Sequence, residues 1–448
     1  MGFDTFPLIN GTSQSAPIDR LFIKGILTIK HIIMTKFKYA STNEAIIYES
    51  VINRKGKKPI NKILMGTYVE IINENGDWVE VKSAGPDGWM NSSDLSDDMG
   101  LKIFFLDVGQ GDGVLLEVGK YKILIDAGPN KSMYNYLTKW QYKYLIDKGE
   151  KIHIDYLIVS HFDIDHYKGF IKILDDARFT FGTIVHAGIL KFAAKDNPYN
   201  SGLGDTISSN GKTYLTKIFD NLLTVNEQAS FNRDVTAFMK TLQNAETQKA
   251  KRYEQGDILI DKQIEGQNFR IEVLAPFIEN INNNKVFVYW EDDGKTINGH
   301  SLVLKVTFGN RTILLGGDLN TFSQNYLIEK YAPNNPFEVD VAKSCHHGSS
   351  DFTENFMKLI NPFATVISSG DNEGHAHPRA DAIGCAGKYS KSKRPLVYST
   401  ELARSTDLKN QKILYGMINL RCNGHDIYMS QMKEVKNNSD LWDSYEVK

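Results

Sequence analysis

The sequence has few cysteines, and this shortage excludes a class of protein. Its three cysteines, Cys345, Cys385 and Cys422, lie far apart in a chain of 448 residues. A disulfide scaffold of this length would need many more of them. The cysteine content is typical of a reducing compartment and predicts a cytoplasmic protein.

Long apolar runs are also lacking. The most apolar N-terminal stretch, residues 21–33, contains two lysines and a histidine. It falls short of the roughly 20 residues that a membrane span needs, and it has neither the basic start nor the cleavage site of a signal peptide. We therefore expect no membrane partner.

An excess of one charge is the third missing feature. The chain has 52 basic and 54 acidic residues and a formal net charge of -2. No global positive field would draw it to nucleic acid or to an anionic membrane. Any contact with a polyanion must be local.

The length exceeds one ordinary core and predicts several parts. We expect an N-terminal extension at 1–37, a small β-barrel at 38–98, an α/β domain at 99–432 and a C-terminal tail at 433–448. Within the α/β domain, the polar interval 190–268 is interpreted as an insertion, and residues 212–252 look mostly helical.

Short alternating runs such as TYVEIINENGDWVEVKS, separated by turn residues, fill the barrel region. Their order resembles bacterial SH3-like domains. That family implies a module that binds a protein or peptide. A barrel that only packs against its neighbour is the alternative.

The α/β domain opens with three apolar strands divided by glycine turns, and strands then alternate with helices. The stretch SHFDIDHYKGF follows the apolar run IDYLIVS and places His161, Asp163, Asp165 and His166 in six positions. Imidazole and carboxylate are good ligands for divalent cations, and this spacing allows the set to divide between two metals. The alternative is a solvated loop in which Asp165 caps the following helix.

Further candidate ligands follow other predicted strands. Asp318 ends ILLGGD, the pair His346 and His347 follows VAKSC, and His375 and His377 lie in GHAHP. Ends of neighbouring strands can meet along one edge of a sheet. We expect these side chains to approach the 161–166 cluster.

Five motifs in this order resemble the metallo-β-lactamase superfamily, and within it the metallo-hydrolase domain of ComEC, over about residues 101–430. They are FFLDVGQGDGVLLEVGKYKILIDAG, SHFDIDHYKGF, SLVLKVTFGNRTILLGGDL, VAKSCHHGSS and GHAHP. The resemblance implies an α/β fold, a four-layer αββα sandwich with metals at one edge of two central sheets.

The resemblance also implies roles for the motif residues. His161 and Asp163 would hold one metal, Asp165 and His166 the other, Asp318 would bridge, and His347 would be the late histidine ligand, with His346 supporting it from behind. Catalytic roles fall to Asp126, Asp165 and His377. Asp126 would orient the metal loop or only form a strand-end turn, and His377 would contact the substrate phosphate, protonate the leaving group or serve as a ligand.

The chain departs from the superfamily pattern at two points. Asp163 stands where familiar members have histidine, although ComEC-like relatives also have aspartate there. A separate histidine before the bridging aspartate is missing, and His300 or His186 would fill its place unless each is a packed structural histidine. The extra carboxylate makes the site harder, so Mn²⁺ competes with Zn²⁺. Two divalent ions, Zn or Mn, are expected.

The loop DVGQGDG resembles a phosphate-binding turn but lacks the following helix and the lysine of a P-loop. We interpret it as a hairpin beside the metals. Asp107, Gln110 and Asp112 would then hydrogen-bond to the ligands from behind.

Two cations roughly 3.5–4 Å apart can activate one water and stabilise both the attacking and the departing oxygen. Phosphodiester hydrolysis suits such a site, and the ComEC-like motifs favour DNA as the substrate. The basic run at 388–394 would form a positive rim or a solvated loop, and aromatics of the insertion would stack on bases or form small cores. Two alternatives remain open: hydrolysis of another ester, a lactone or a cyclic nucleotide, and a non-enzymatic metal-containing scaffold with an SH3-like binding module.

Overall fold

A computed structural model describes residues 36–51, 58–195, 197, 199–225, 230–370, 374–401, 417–432 and 441–448. The expected N-terminal extension at 1–37 lies almost wholly outside the described residues. Among the helices that are described, none is long and apolar enough to cross a membrane.

The N-terminal region is all β. Its described strands are β1 (Lys36–Ala40), β2 (Glu44–Tyr48), β3 (Pro59–Leu64), β4 (Tyr68–Asn75), β5 (Trp78–Lys82), β6 (Gly88–Asn91) and β7 (Leu95–Ser96). They form one sheet in the order β3-β2-β6-β5-β4-β1-β7. Alternate residues such as Ile47, Val69 and Val81 point inward and form a core of their own. The region is a separate β-module, and its SH3-like character stays a prediction.

The remaining described strands belong to the α/β region. They are β8 (Leu101–Phe105), β9 (Gly113–Val118), β10 (Tyr121–Ala127), β11 (Ile152–Val159), β12 (Phe179–His186), β13 (Thr206–Ser209), β14 (Lys212–Leu215), β15 (Thr247–Arg252), β16 (Ile258–Ile264), β17 (Gln267–Ala275), β18 (Glu279–Ile281), β19 (Asn284–Tyr289), β20 (Val303–Phe308), β21 (Arg311–Leu315), β22 (Val341–Lys343), β23 (Ala364–Ile367), β24 (Leu396–Ser399), β25 (Ile418–Cys422), β26 (Ile427–Met432) and β27 (Trp442–Glu446).

The described α-helices are distributed among these strands. They are α1 (Ser132–Tyr136), α2 (Lys143–Asp147), α3 (Ile164–Leu174), α4 (Arg233–Asn244), α5 (Asp293–Gly299), α6 (Thr321–Tyr331), α7 (Glu354–Ile360) and α8 (Ala380–Lys388). Helix α3 buries one face against the first sheet, with Phe170, Ile173 and Leu174 in the core.

Two sheets face each other across one apolar core. Over the described residues, one has the order β15-β12-β11-β10-β9-β8-β25-β26-β27 and the other β16-β17-β20-β21-β22-β23-β24. Phe105 and Ile125 of the first sheet share a core with Phe269 and Val306 of the second. Helices α1, α3 and α4 cover the outer face of the first sheet, and α6 and α7 cover that of the second. The predicted mixed α/β sandwich is confirmed.

Each sheet contains a parallel block, and this sets the position of the site. Strands β10, β11, β12 and β15 are parallel, as are β21, β22, β23 and β24. The carboxyl ends of parallel strands lie at one edge of their sheet. Loops after β10, β11, β21, β22 and β23 therefore meet at one end of the sandwich.

The predicted insertion at 190–268 is wrong at its C-terminal end. The polar strand β15 pairs with β12, and β16 forms the edge of the second sheet, so the sheets resume at Thr247. Both are edge strands that expose mostly polar side chains, and this polar composition led to their assignment to the insertion. The mostly helical interpretation of 212–252 is wrong as well, because among the residues described there α4 is the only α-helix and β14 pairs with β19.

The expected C-terminal tail at 433–448 contains a strand. Residues 433–440 lie outside the described part, but β27 pairs with β26 and extends the first sheet. Trp442 is buried, and its Nε1 donates a hydrogen bond to the carbonyl oxygen of Lys62 at 3.3 Å. Ser444 Oγ donates to Asn43 Oδ1 at 2.9 Å. The last strand therefore joins the α/β region to the β-module.

Candidate metal centre

Four buried side chains converge where the two sheets meet. Asp112, His166, Asp318 and His347 each offer one ligand atom, and these atoms all lie within 4.8 Å of one another. The residues come from the β8–β9 loop, the first turn of α3, the loop after β21 and the turn after β22. Each is at most 3% exposed. Within the described ranges this is the group that could hold a metal.

Three atoms at the centre form a nearly equilateral triangle, and we call their residues the inner triad. His166 Nε2 and His347 Nε2 are each 3.2 Å from Asp318 Oδ2 and 3.2 Å from each other. Ligand bonds of about 2.0–2.1 Å in a tetrahedral site place neighbouring ligand atoms about 3.3 Å apart. Asp165 Oδ2 lies at that distance, 3.3 Å, from His347 Nε2. The spacing and the donor types fit a divalent ion.

The outer nitrogen of each triad histidine is held by the protein. His166 Nδ1 lies 2.8 Å from Asp126 Oδ2, and His347 Nδ1 lies 3.1 Å from the carbonyl oxygen of Ser368 and 3.2 Å from Asp112 Oδ1. These contacts leave both Nε2 atoms facing the centre. Such outer partners fix the tautomer and orientation of metal-binding histidines.

Asp126 lies behind His166, at the start of the 160–166 loop that it is expected to orient. The carboxylate is buried and accepts hydrogen bonds from Ser160 N at 2.8 Å and from Ser160 Oγ at 2.6 Å. Asp126 also has a φ of 56°, in the left-handed region, so it forms the strand-end turn too. Both proposed functions of this residue are compatible with the geometry.

Asp112 lies behind His347 rather than in front of it. Its carboxylate forms an ion pair with the buried Lys343, and its Oδ1 lies 3.2 Å from His347 Nδ1. The loop approaches α3 so closely that a Cβ on Gly111, which has a φ of 132°, would lie 2.2 Å from the carbonyl oxygen of Asp165. Asp107 Oδ1 accepts a hydrogen bond from Gly109 N at 3.1 Å.

Charges in the triad are strongly coupled. Burial lowers the pKa of His166, but Asp318 and Asp126 outweigh it and hold that pKa well above its usual range. Asp318 and Asp112 do the same for the pKa of His347. Burial raises the pKa of Asp318, but the two imidazoles outweigh it and lower that pKa. The carboxylates create a site that favours cations, and a metal would replace the imidazole protons.

His161 and Asp163, which we call the flanking pair, lie next to the triad. The rings of His161 and His166 are 4.1 Å apart between centroids. His161 Nε2 and Asp318 Oδ1 are buried and have no hydrogen-bond partner among the described residues. Unpaired buried polar atoms are costly, so two such atoms suit ligands of a second ion. Asp163, by contrast, forms an ion pair with Lys191.

His346 and His377 lie beside the triad. His346 Nε2 is 4.0 Å from Asp318 Oδ2, and its ring centroid is 5.8 Å from that of His377. His377 Nδ1 lies 3.1 Å from Gln110 Nε2. His375 stacks on His377 from the exposed side, with 5.6 Å between centroids. The structure therefore brings His377 near the triad without placing it in the triad.

His300 and His186 are not brought into the centre. His300 Nε2 donates to the carbonyl oxygen of Val288 at 2.7 Å, and its ring stacks on Trp290 at 4.4 Å between centroids. Burial lowers the pKa of His300 to about 4. Burial, together with Arg252, lowers the pKa of His186 to about 3. Both are packed histidines.

Ser301, the residue after His300, contacts the centre, and the sequence analysis missed it. Its Oγ lies 3.2 Å from His161 Nδ1, accepts a hydrogen bond from Asp318 N at 3.0 Å and donates to Asn298 O. The only sequence signal was its position directly before the strand that leads to Asp318. A serine there supports His161 but is a poor metal ligand.

The positive rim expected from residues 388–394 is wrong. This run precedes β24, which is parallel to β23, so it lies at the sheet edge opposite the metal centre. Lys388 pairs with Glu354 at 3.4 Å, and Lys391 pairs with Glu338 at 3.9 Å. Aromatic side chains of the 190–268 interval pack on one another, as Phe192 and Phe231 do at 5.1 Å between centroids.

Comparison with known proteins supports the superfamily. The model of the metallo-beta-lactamase superfamily matches residues 106–229. Competence protein ComA of Neisseria gonorrhoeae is 37% identical over 82 residues, which cover 18% of this chain and 12% of that protein. ComE operon protein 3 of Bacillus subtilis (strain 168) is 31% identical over 99 residues, 22% of this chain and 12% of that protein. The matched segment is thus a small part of both relatives.

Solved structures with a likeness to this chain include two that it covers almost completely. YhfI of Bacillus subtilis, a metallo-beta-lactamase fold protein, has a TM-score of 0.34 and 13% identity, over 68% of this chain and 97% of that chain. The short form of human tRNase Z has a TM-score of 0.31 and 11% identity, over 68% and 96%. The family model supports the metallo-β-lactamase superfamily for the segment that carries the 161–166 motif.

Proposed function

We propose that this chain is a metal-dependent phosphodiesterase, a nuclease that cuts DNA with two divalent ions, Zn or Mn. The observation that carries the proposal is the inner triad, in which His166 Nε2, His347 Nε2 and Asp318 Oδ2 lie 3.2 Å apart in a buried site. Asp165 Oδ2 adds a fourth donor at 3.3 Å from His347 Nε2. Atoms of these types at this spacing suit a cation.

The second ion would use two of the buried atoms that have no hydrogen-bond partner among the described residues, His161 Nε2 and Asp318 Oδ1. Asp318 would then bridge, with one carboxylate oxygen toward each ion. Divalent ions bound there would supply Lewis acidity that lowers the pKa of a water molecule and stabilises negative charge on phosphate oxygens.

Protein side chains would orient the reactants. Asp126 and Asp112 hold the two triad imidazoles from behind, so Nε2 of each faces the centre. When Gln110 Nε2 donates to His377 Nδ1, the other ring nitrogen of His377 carries the proton. His377 would donate that proton to a phosphate oxygen or to the departing oxygen, because its ring centroid lies 6.3 Å from that of His347 in the triad.

DNA as the substrate rests on the resemblance to the ComEC hydrolase domain. The short matches to two competence proteins support that choice. The nuclease test is an assay on single- and double-stranded DNA and RNA with Mn²⁺ or Zn²⁺. We expect divalent-dependent cutting of DNA that Asp165→Ala abolishes, because this change removes a donor beside the triad.

Asp147→Ala is the matched control, since Asp147 is exposed on α2 and pairs only with Lys143 among the described residues. It should cut DNA like the wild type. Protein that carries metal but cuts no nucleic acid, while it hydrolyses a lactone or carboxylic ester, would contradict the nuclease and leave a metallo-hydrolase of another class.

A further inference from the structure

A groove of about 890 Å³ runs between the turn after β10, helix α3 and helix α4. Its lining contains four lysines, Lys131, Lys168, Lys172 and Lys240, and a single acidic residue, Asp175. The whole chain has a net charge of -2, so this concentration of positive charge is local. Such a concentration of positive charge suits the local polyanion contact that the overall composition left open.

Two of the lysines are available to a ligand. Lys131 and Lys240 are exposed, and neither forms an ion pair with the described residues. Lys168 is 3.3 Å from Asp234, and Lys172 is 3.6 Å from Asp175. Both pairs are partly exposed and therefore weak. Phosphate groups could displace the carboxylates at little cost.

Helix α3 links the groove to the candidate metal centre. Asp165, Lys168 and Lys172 lie on one face of α3, because residues three and four apart are neighbours on a helix. Asp165 Oδ2 is 3.3 Å from His347 Nε2, whereas Lys168 and Lys172 line the groove. Gly169 N donates to the carbonyl oxygen of Gly128 at 2.8 Å, so the helix lies directly on the turn that follows Asp126. The first lysine of the groove is therefore about one helical turn from Asp165.

We propose that this groove binds the sugar-phosphate backbone of a nucleic acid strand and guides a phosphodiester bond into the metal centre. The inference rests on the proposed function and names the surface that holds the substrate. Lysines contact phosphates, and amides such as Asn130 and Asn244 also line the groove and can donate hydrogen bonds to phosphate oxygens. A concave groove between helices admits a strand, whereas the flat surface of a bilayer cannot enter it.

Binding is tested separately from cutting. Fluorescence anisotropy with a labelled single strand of about 20 nucleotides is measured in EDTA between about 50 and 200 mM salt. Each lysine–phosphate contact on a single strand contributes about 0.7 to the salt slope, so Lys131→Gln/Lys240→Gln should lower the slope by about 1.4 and weaken binding about 25-fold near 0.1 M salt.

Lys120→Gln/Lys262→Gln is the matched control, since it removes the same charge from two exposed lysines outside the groove. It should bind as the wild type does. Equal weakening by both double variants, or by neither, would overturn the groove. Binding of phosphatidylserine vesicles but not of the oligonucleotide through Lys131 and Lys240 would also overturn it.

Hydrolysis of bis(p-nitrophenyl) phosphate with Mn²⁺ separates failure of the groove from failure of the proposed function. This small diester is too short to reach along α3. The groove variant should lose at least tenfold more activity on DNA than on the diester. If the wild type binds the strand but hydrolyses neither substrate, the proposed function is contradicted, whereas the groove is still supported as a binding site.

Discussion

The inner triad and the flanking pair are built differently, although they share one centre. Each triad histidine has an acid or a carbonyl behind it, and the three ligand-type atoms are 3.2 Å apart. In the flanking pair, His161 is supported by the hydroxyls of Ser160 and Ser301, and Asp163 is bound to Lys191. The inner triad is therefore preorganised for a cation. In the flanking pair, Asp163 must first give up its ion pair with Lys191 before it can bind a metal.

The largest effect on metal binding is expected from a change of Asp318, whose carboxylate would bridge the ions of the inner triad and the flanking pair. Asp318→Asn replaces a carboxylate that contacts both triad histidines and has its second oxygen unpartnered among the described residues. We expect bound metal and hydrolysis to fall by more than about 100-fold, since outer partners alone are worth about 10–100-fold. Metal content by atomic emission and the rate on bis(p-nitrophenyl) phosphate measure both. Full metal content in the variant would show that the triad does not hold the ion.

A smaller effect is expected behind the triad. Asp112→Asn weakens the support of His347 Nδ1 and leaves the buried Lys343 without its anion. We expect about a 10–100-fold loss of metal affinity. Asp147→Asn, on the exposed side of α2 and paired with Lys143, is the control and should bind metal like the wild type. Equal metal affinity of Asp112→Asn and the wild type in a competition titration with a chelator would show that Asp112 does not support His347.

Replacing Lys191 tests whether the flanking pair binds a metal ion. Lys191→Met frees Asp163, and a partly exposed ion pair is worth up to about 1 kcal/mol, so the weaker of two metal sites should bind about fivefold tighter. Isothermal titration with Mn²⁺ measures affinity and stoichiometry. A stoichiometry of one in both proteins would show that the flanking pair holds no ion.

The smallest effect on metal binding is expected from His300, which belongs to neither the inner triad nor the flanking pair. His300→Phe should leave metal content unchanged, because His300 bonds to Val288 and stacks on Trp290. The pKa of His300 is lowered to about 4 by burial, against about 6.5 unfolded. Its neutral form stabilises the fold fully above about pH 6.5, and this stability is lost as the pH falls toward 4.

Urea denaturation at about pH 7 and pH 5 measures that dependence. Between these values the wild type should lose about 2 kcal/mol of unfolding free energy through this group, and the variant should not. Loss of metal in His300→Phe would instead return this residue to the ligand set.

Many of the candidate ligands could be located from residue types at strand ends. The residues that hold these ligands in place were harder to locate. The 161–166 cluster, Asp318 and His347 could be located because each follows an apolar strand whose neighbours are parallel. Ser301 and Lys191 could not, since their contacts depend on side-chain packing between segments far apart in the chain. Their residue types also carry no metal signal.

The fold shows the same limit. Buried strands were readable from apolar runs, whereas β15 and β27 are edge strands with polar exposed faces. Only pairing with a neighbouring strand gives them a structure, and a single sequence does not display that pairing. The ligand roles themselves stay predictions until metal is measured.

The final strand, β27, fastens the β-module through Trp442 and Ser444, while Glu265 accepts a hydrogen bond from Gly100 N at the junction, 2.7 Å away. The module therefore contacts a strand, β27, in which Trp442 lies 380 positions along the chain from Lys62. Because β27 is synthesised after the α/β region that separates it from Lys62, these contacts form only once that region has been made.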